Sequence, residues 1–239
     1  MHNKTIRFCS MFALLSFVFV FLSTGLFYLG WWNVDNILTE DCALVNTEPT
    51  NTPRTIIIDP GHGGRDPGAS ADKVLEKDLN LTISLILADL LRFLGHEVIM
   101  TRTEDVSLGN EVPGQQKRGD LQARLALSRQ HPEAIFVSIH MNTYPSPNVS
   151  GMHIYYVRNC NESAAIARRL RALNMEHLDA EADHEPKQST SSLFVLSRIS
   201  NPAILVECGF LTSPRDLELL QCPNHQRKLA LVIAAALMG

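Results

Sequence analysis

From Thr55 onward, apolar runs alternate with stretches in which apolar positions recur every three or four residues. The first pattern reads as buried strands and the second as amphipathic helices. "TIIID" (55–59) is a strand, after which Leu79, Ile83, Ile86, Leu87, Leu90 and Leu94 fall at helical spacing until Gly95 ends the helix. "HEVIMTR" (96–102) gives a second strand, and residues 120–130 a second helix through Leu121, Leu125 and Leu127. "AIFVSIH" (134–140) is a third strand, and "GMHIYYV" (151–157) alternates as a strand nearer an edge does. Residues 162–178 read as a helix, "SLFVL" (192–196) and "AILVE" (203–207) as two more strands, and residues 213–220 and 225–238 as closing helices. This order predicts an α/β fold of three layers: about six strands in a mostly parallel twisted sheet, flanked by five or six helices.

The beginning of the chain has a different pattern. Lys4 and Arg7 precede residues 8–32, which carry no charge and are long enough to span a bilayer as a helix. Met11 to Leu22 followed by Ser23, Thr24 and Gly25 fits a cleaved signal peptide, whereas the continuation to Trp31 and Trp32 fits an uncleaved anchor with interfacial aromatics. Both place the remainder outside the cytoplasm, in the cell envelope, with membrane attachment in the second case. Residues 33–54 are polar and aperiodic and read as a flexible tether with a reach of roughly 25 Å. The expected organisation is therefore 1–32 anchor or signal peptide, 33–54 tether, and 55–239 working domain.

Charge and cysteine narrow the function classes. The chain carries 21 basic and 25 acidic residues, and setting aside Lys4 and Arg7 leaves 19 against 25. No basic field points to nucleic acid. Cys9, Cys42, Cys160, Cys208 and Cys222 form no C-x-x-C pair, which argues against a cysteine zinc site and favours free thiols or small buried residues.

In open α/β sheets, sites form beyond the carboxyl ends of strands. His62 follows "TIIID", His140 ends "AIFVSIH" and Glu207 ends "AILVE", while Glu76 opens the first long helix beside the loop carrying His62. Two histidines and a carboxylate from separate elements, with another carboxylate nearby, are what a catalytic zinc site requires. Each residue alone has a plainer reading: Glu76 as a favourable charge at a helix N-terminus, and most other histidines as surface or capping residues. "PGHGGRDPG" has the glycines of a phosphate loop but lacks its G-K-[ST] ending. His153 lies in an alternating strand and could face either way. The conjunction of the four residues favours the metal reading.

"IIIDPGHGGRDPGA", "EKDLNL", "VIMTR", "FVSIHMN" and "PAILVECGFLTSPRD" occur in that order. Together they resemble the zinc-dependent N-acetylmuramoyl-L-alanine amidases of the Amidase_3 family over residues 55–239. The resemblance implies one Zn2+ per domain held by His62, Glu76 and His140, with Glu207 as the catalytic carboxylate. The implied reaction is hydrolysis of the amide between N-acetylmuramic acid and L-alanine of peptidoglycan. Asp59 is a candidate partner to hold a ligand histidine from behind, or an ordinary strand-end turn residue. "KRGDLQARLALS" and the single tethered domain resemble the short sporulation- and germination-associated CwlD branch, which acts on spore cortex. Only residues 141–150 separate His140 from the next strand, so the inhibitory helix of larger family members has no room there. Regulation would fall to a protein activator, to location, or to the 103–119 loop acting as a lid. The alternative from another class is a catalytically silent peptidoglycan-binding or scaffold protein on the same fold; a zinc peptidase is a further rival.

Overall fold

A computed structural model describes residues 52–109 and 116–239. The anchor or signal peptide and nearly all of the tether lie outside these residues. Among the described residues, no helix is long and apolar enough to cross a membrane.

The chain enters at β1 (Thr55–Pro60), makes a two-residue hairpin of β2 (Ser70–Ala71) and β3 (Val74–Leu75), and continues into α1 (Glu76–Phe93). Then follow β4 (Glu97–Met100), α2 (Gln116–Gln130), β5 (Ile135–Asn142), β6 (His153–Tyr156) and α3 (Asn161–His177). The chain ends with β7 (Lys187–Gln188), β8 (Ala203–Phe210), α4 (Pro214–Gln221) and α5 (Pro223–Met238). Six strands form one sheet in the order β4-β1-β5-β8-β6-β7. The first four are mutually parallel, and β6 runs antiparallel to β8 with β7 parallel to β6.

Both faces of the central strands are covered, as their unbroken apolar runs require. Ile56, Ile58, Val137, Ile139, Ile204 and Val206 face α1, α3 and α5 in one large core that includes Ile83, Leu87, Ile166, Leu170 and Ile233. Ile57, Phe136, Ala203 and Leu205 face the other way, toward Leu125 of α2 and the segment around Leu196 and Ile199. Sandwiching the sheet between these layers gives the three-layer α/β architecture expected.

One expected strand is corrected. "SLFVL" does not pair with the sheet: Ser197 N–H donates to Leu193 O at 2.8 Å and Ile199 N–H to Val195 O at 3.0 Å, so residues 190–199 wind into consecutive turns. The flanking serines suit turns, and the apolar residues between them are used to roof the smaller core. The sixth strand is instead Lys187–Gln188, a short polar edge whose lysine suits an unpaired border. Cys160, Cys208 and Cys222 are free thiols; Cys9 and Cys42 lie outside the described residues.

Candidate active site

The carboxyl edge of the sheet gathers the four residues singled out in the sequence. Parallel pairing of β5 with β8 sets His140 directly beside Glu207. Glu76 is the first residue of α1, where its charge also favours the helix N-terminus. His62 leaves the end of β1 in a left-handed conformation, φ 61°, which for a residue with a Cβ costs about 1–2 kcal/mol.

Backbone contacts in this loop leave no room for side chains at two glycines. A Cβ on Gly61 would lie 2.2 Å from Cε1 of His140, so the first histidine's loop runs against the second histidine's ring. Gly68, φ 67°, would place a Cβ 2.4 Å from Oε2 of Glu76. The loop thereby closes around the carboxylate, whose Oε2 accepts from Ala69 N at 2.8 Å.

Oε1 of Glu76 lies 3.2 Å from Nε2 of His62 and 2.9 Å from Nδ1 of His140. Asn80 and the Met141 amide also approach that oxygen. One ligand atom from each of His62, Glu76 and His140 lies within 4.8 Å of the other two. Ligands held tetrahedrally at zinc's usual 2.0–2.1 Å stand about 3.3 Å apart, and the two Glu76–histidine separations of 3.2 and 2.9 Å are of that order. Nδ1 of His62 is already taken by Oδ2 of Asp66 at 2.9 Å, which leaves Nε2 to face the cluster.

The electrostatics agree with a site built for a cation. Burial by itself would raise the Glu76 carboxyl, but hydrogen bonds and charge from His140 and His62 hold it well below the ordinary carboxylate range. Burial by itself would lower the His62 imidazole, yet Glu76 and Asp66 outweigh it and leave its pKa raised. A metal would displace that proton. Glu207 behaves oppositely: burial is the main influence and its carboxyl is pushed up, with Oε2 shielded from solvent and without a hydrogen-bond partner among the described residues. A carboxyl displaced upward beside this His–Glu–His cluster suits a group that must both accept and return a proton.

A cavity of about 200 Å³ opens beside His62 and His140 and runs along the less covered face, between Leu121 of α2 and Phe194 and Val195 of the turn segment. Arg198 lies over the Phe194 ring at 4.0 Å and stiffens that wall.

Asp59 does not hold a histidine. Its carboxylate is buried and bound by Arg124, Thr101 and Ser138; the partner of His62 is Asp66 instead. Asp66 stands four residues after its histidine in "HGGRD", a spacing that allowed this pair to be anticipated. Nor is the first part of the 103–119 loop free to swing. Asp105 accepts from Gly64 N at 2.7 Å and from Lys77 Nζ at 2.6 Å, and Leu108 N donates to Asp120 at 2.6 Å; residues 110–115 lie outside the described residues. His153 packs edge-on against His184 and Phe210 at ring distances of 4.2 and 5.1 Å, and burial lowers its pKa to about 4.

The sequence profile of Amidase_3, described as N-acetylmuramoyl-L-alanine amidase, matches residues 56–238. The chain belongs to the Amidase_3 family. A germination-specific N-acetylmuramoyl-L-alanine amidase of Bacillus subtilis is 32% identical over 183 residues, covering 74% of this chain and 75% of the relative. Among solved structures, the CwlD amidase of Clostridioides difficile, in complex with the GerS lipoprotein, superposes with TM-score 0.73 at 31% identity. That match covers 77% of this chain and 95% of that one. The amidase AmiC2 of Nostoc punctiforme gives TM-score 0.66 at 30% identity, over 77% and 94%. The Amidase_3 neighbours thus match the six-stranded fold as well as the sequence, and the chain is CwlD-like within the family.

Proposed function

We propose that this Amidase_3 chain hydrolyses the amide joining the lactoyl group of N-acetylmuramic acid to the L-alanine of the peptidoglycan stem peptide, with one zinc ion per domain. The observation that carries the reading is the convergence of His62, Glu76 and His140 within 4.8 Å, beside the Glu207 carboxylate, whose Oε2 is shielded from solvent and has no hydrogen-bond partner among the described residues. His62 Nε2, His140 Nδ1 and a Glu76 oxygen would hold the metal. When bound, zinc supplies Lewis acidity toward the amide carbonyl and lowers the pKa of water to about 7.

The chain's own residues do the rest. Glu207 accepts the proton of the attacking water and returns it to the alanine nitrogen as the C–N bond breaks. Asp66 holds the His62 ring in the tautomer that leaves Nε2 unprotonated. The cavity along Leu121 and Phe194, which His62 and His140 also line, receives the part of the substrate nearest the scissile bond.

The work is done outside the cytoplasm, in the cell envelope, with the domain tethered to the membrane by residues 1–54. Support for the exported location comes from the apolar N-terminal stretch and from the N-acetylmuramoyl-L-alanine amidase relatives. The germination-specific relative supports spore cortex as the substrate, and the GerS complex of the CwlD relative supports a protein partner.

The test is digestion of purified cortex and vegetative peptidoglycan by the full chain in detergent, with products read by mass spectrometry. Muramic acid with a free lactyl carboxylate and peptides with a free alanine amine should appear together and in equal amount. A silent scaffold releases neither, and a peptidase releases peptides while leaving alanine on the muramic acid.

A further inference from the structure

Three consecutive carbonyls in the loop that delivers His62 are held by two guanidinium groups. Arg102, just past β4, donates from Nε to Pro60 O at 3.0 Å and from Nη2 to Gly61 O at 2.9 Å. Arg124, in the middle of α2, donates from Nη1 to Pro60 O at 3.1 Å and from Nη2 to His62 O at 2.8 Å. Both arginines are only 3% exposed. The charge of Arg124 is met on one side by Asp59 and on the other by Asp120, whose Oδ2 accepts from Nε at 3.1 Å and Nη2 at 2.8 Å.

This arrangement bears on the strained histidine. His62 has φ 61°, and rotation to the ordinary negative-φ region would swing its carbonyl away from Arg124 Nη2. That would leave a buried guanidinium N–H without an acceptor, which is the costly way to lose a hydrogen bond. The ordinary conformer is thus penalised, and the left-handed one, which sets Nε2 3.2 Å from Glu76, is retained.

We infer that Arg124, seconded by Arg102, is a positioning residue for zinc. It fixes the His62 backbone so that the imidazole faces Glu76 and His140 before any metal arrives, and it is not itself one of the three ligands. "KRGDLQARLALS" holds this residue and its partner Asp120 one helical turn apart, so the motif has a role in the site that its place in the sequence conceals. The inference rests on the zinc reading of the three ligands.

The test is a zinc dissociation constant, measured by competition with a chromophoric chelator on the full chain in detergent, together with the melting temperature of the metal-stripped protein. Arg124→Lys keeps the charge but cannot fork to Asp59, Asp120 and two carbonyls. It should bind zinc about tenfold more weakly than the parent. Arg102→Lys, which leaves the His62 carbonyl bound, should weaken zinc less. The control is Asn201→Ala: Asn201 is 1% exposed and donates to His131 O at 2.7 Å and Ala134 O at 2.9 Å, at the opposite edge of the sheet. It should lower the melting temperature and leave zinc affinity at the parent value. The visible spectrum of the cobalt-substituted protein should change in Arg124→Lys and not in Asn201→Ala.

Parent affinity in Arg124→Lys overturns the positioning role while leaving the zinc site intact. Equal loss of affinity in Asn201→Ala also overturns it, since destabilisation alone would then account for the effect. A parent that binds no zinc overturns the metal reading and the positioning role together.

Discussion

On one face of the sheet, Ile58, Ile139, Met141, Val206 and Cys208 carry the apolar surface to the carboxyl edge under three helices. On the other face, the same three central strands turn polar before they end: Ile57 gives way to Asp59, Phe136 to Ser138 and His140, and Leu205 to Glu207. Residues two apart on a strand share a face, so each of these series is a single row of side chains changing character along its length. The difference teaches where the chain can bear substitution. The covered face is sensitive to volume and the other to chemistry, and the cavity opens on the second because one helix and a segment of turns cover it only in part.

The largest loss is expected at Glu207. Glu207→Gln should lower hydrolysis about 1,000-fold, in steady-state assays with zinc in excess, while chelator competition shows zinc still bound. His62→Ala should lose zinc and hydrolysis together. Activity at the parent rate in Glu207→Gln would remove the proton-transfer role from the row.

On the opposite face, Leu170→Ala in α3 removes a fully buried side chain from the larger core. It should cost about 3 kcal/mol in urea unfolding and leave the rate per folded molecule unchanged. A loss of rate without a loss of stability would mean that the two faces are not separable.

Asp59 sharpens the boundary, since it is a charge in a row that begins with isoleucine. Burial would raise its carboxyl, but Arg124 and hydrogen bonds from Ser138 and Thr101 bring it below the ordinary value of 3.8. A depressed carboxyl contributes stability above its unfolded pKa and loses it as the pH falls through the folded value. Asp59→Asn should therefore cost about 2 kcal/mol at pH 7 and less at pH 3, measured by denaturant titration at both.

The smallest effect is expected furthest from the chemistry. Ser213 caps α4 by accepting from Asp216 N at 3.3 Å, and Ser213→Ala should cost about 1 kcal/mol with no change in zinc affinity.

Much of this was legible in the sequence because it rests on local pattern. The strands of the sheet's centre are continuous apolar runs, and His62, Glu76, His140 and Glu207 stand at element ends, which the sheet's parallel order then brings to one edge. The turn segment 192–196 was misread because an apolar run of five carries no mark that separates a strand from a roof over a core. Lys187–Gln188 was missed because two polar residues pair by backbone alone. Arg102 and Arg124 were missed for another reason. Their partners are backbone carbonyls and acids up to 65 residues away, as with Arg124 and Asp59, and pattern along the chain does not report such pairings.

The most direct test of the account is hydrolysis of a defined N-acetylmuramoyl-peptide by the metal-stripped full chain as zinc is titrated in, with products identified by mass. No cleavage is expected without zinc, then a rise that saturates at one zinc per chain, with the lactyl–alanine amide as the bond broken. Full activity in the stripped protein, or cleavage between amino acids instead, would contradict it.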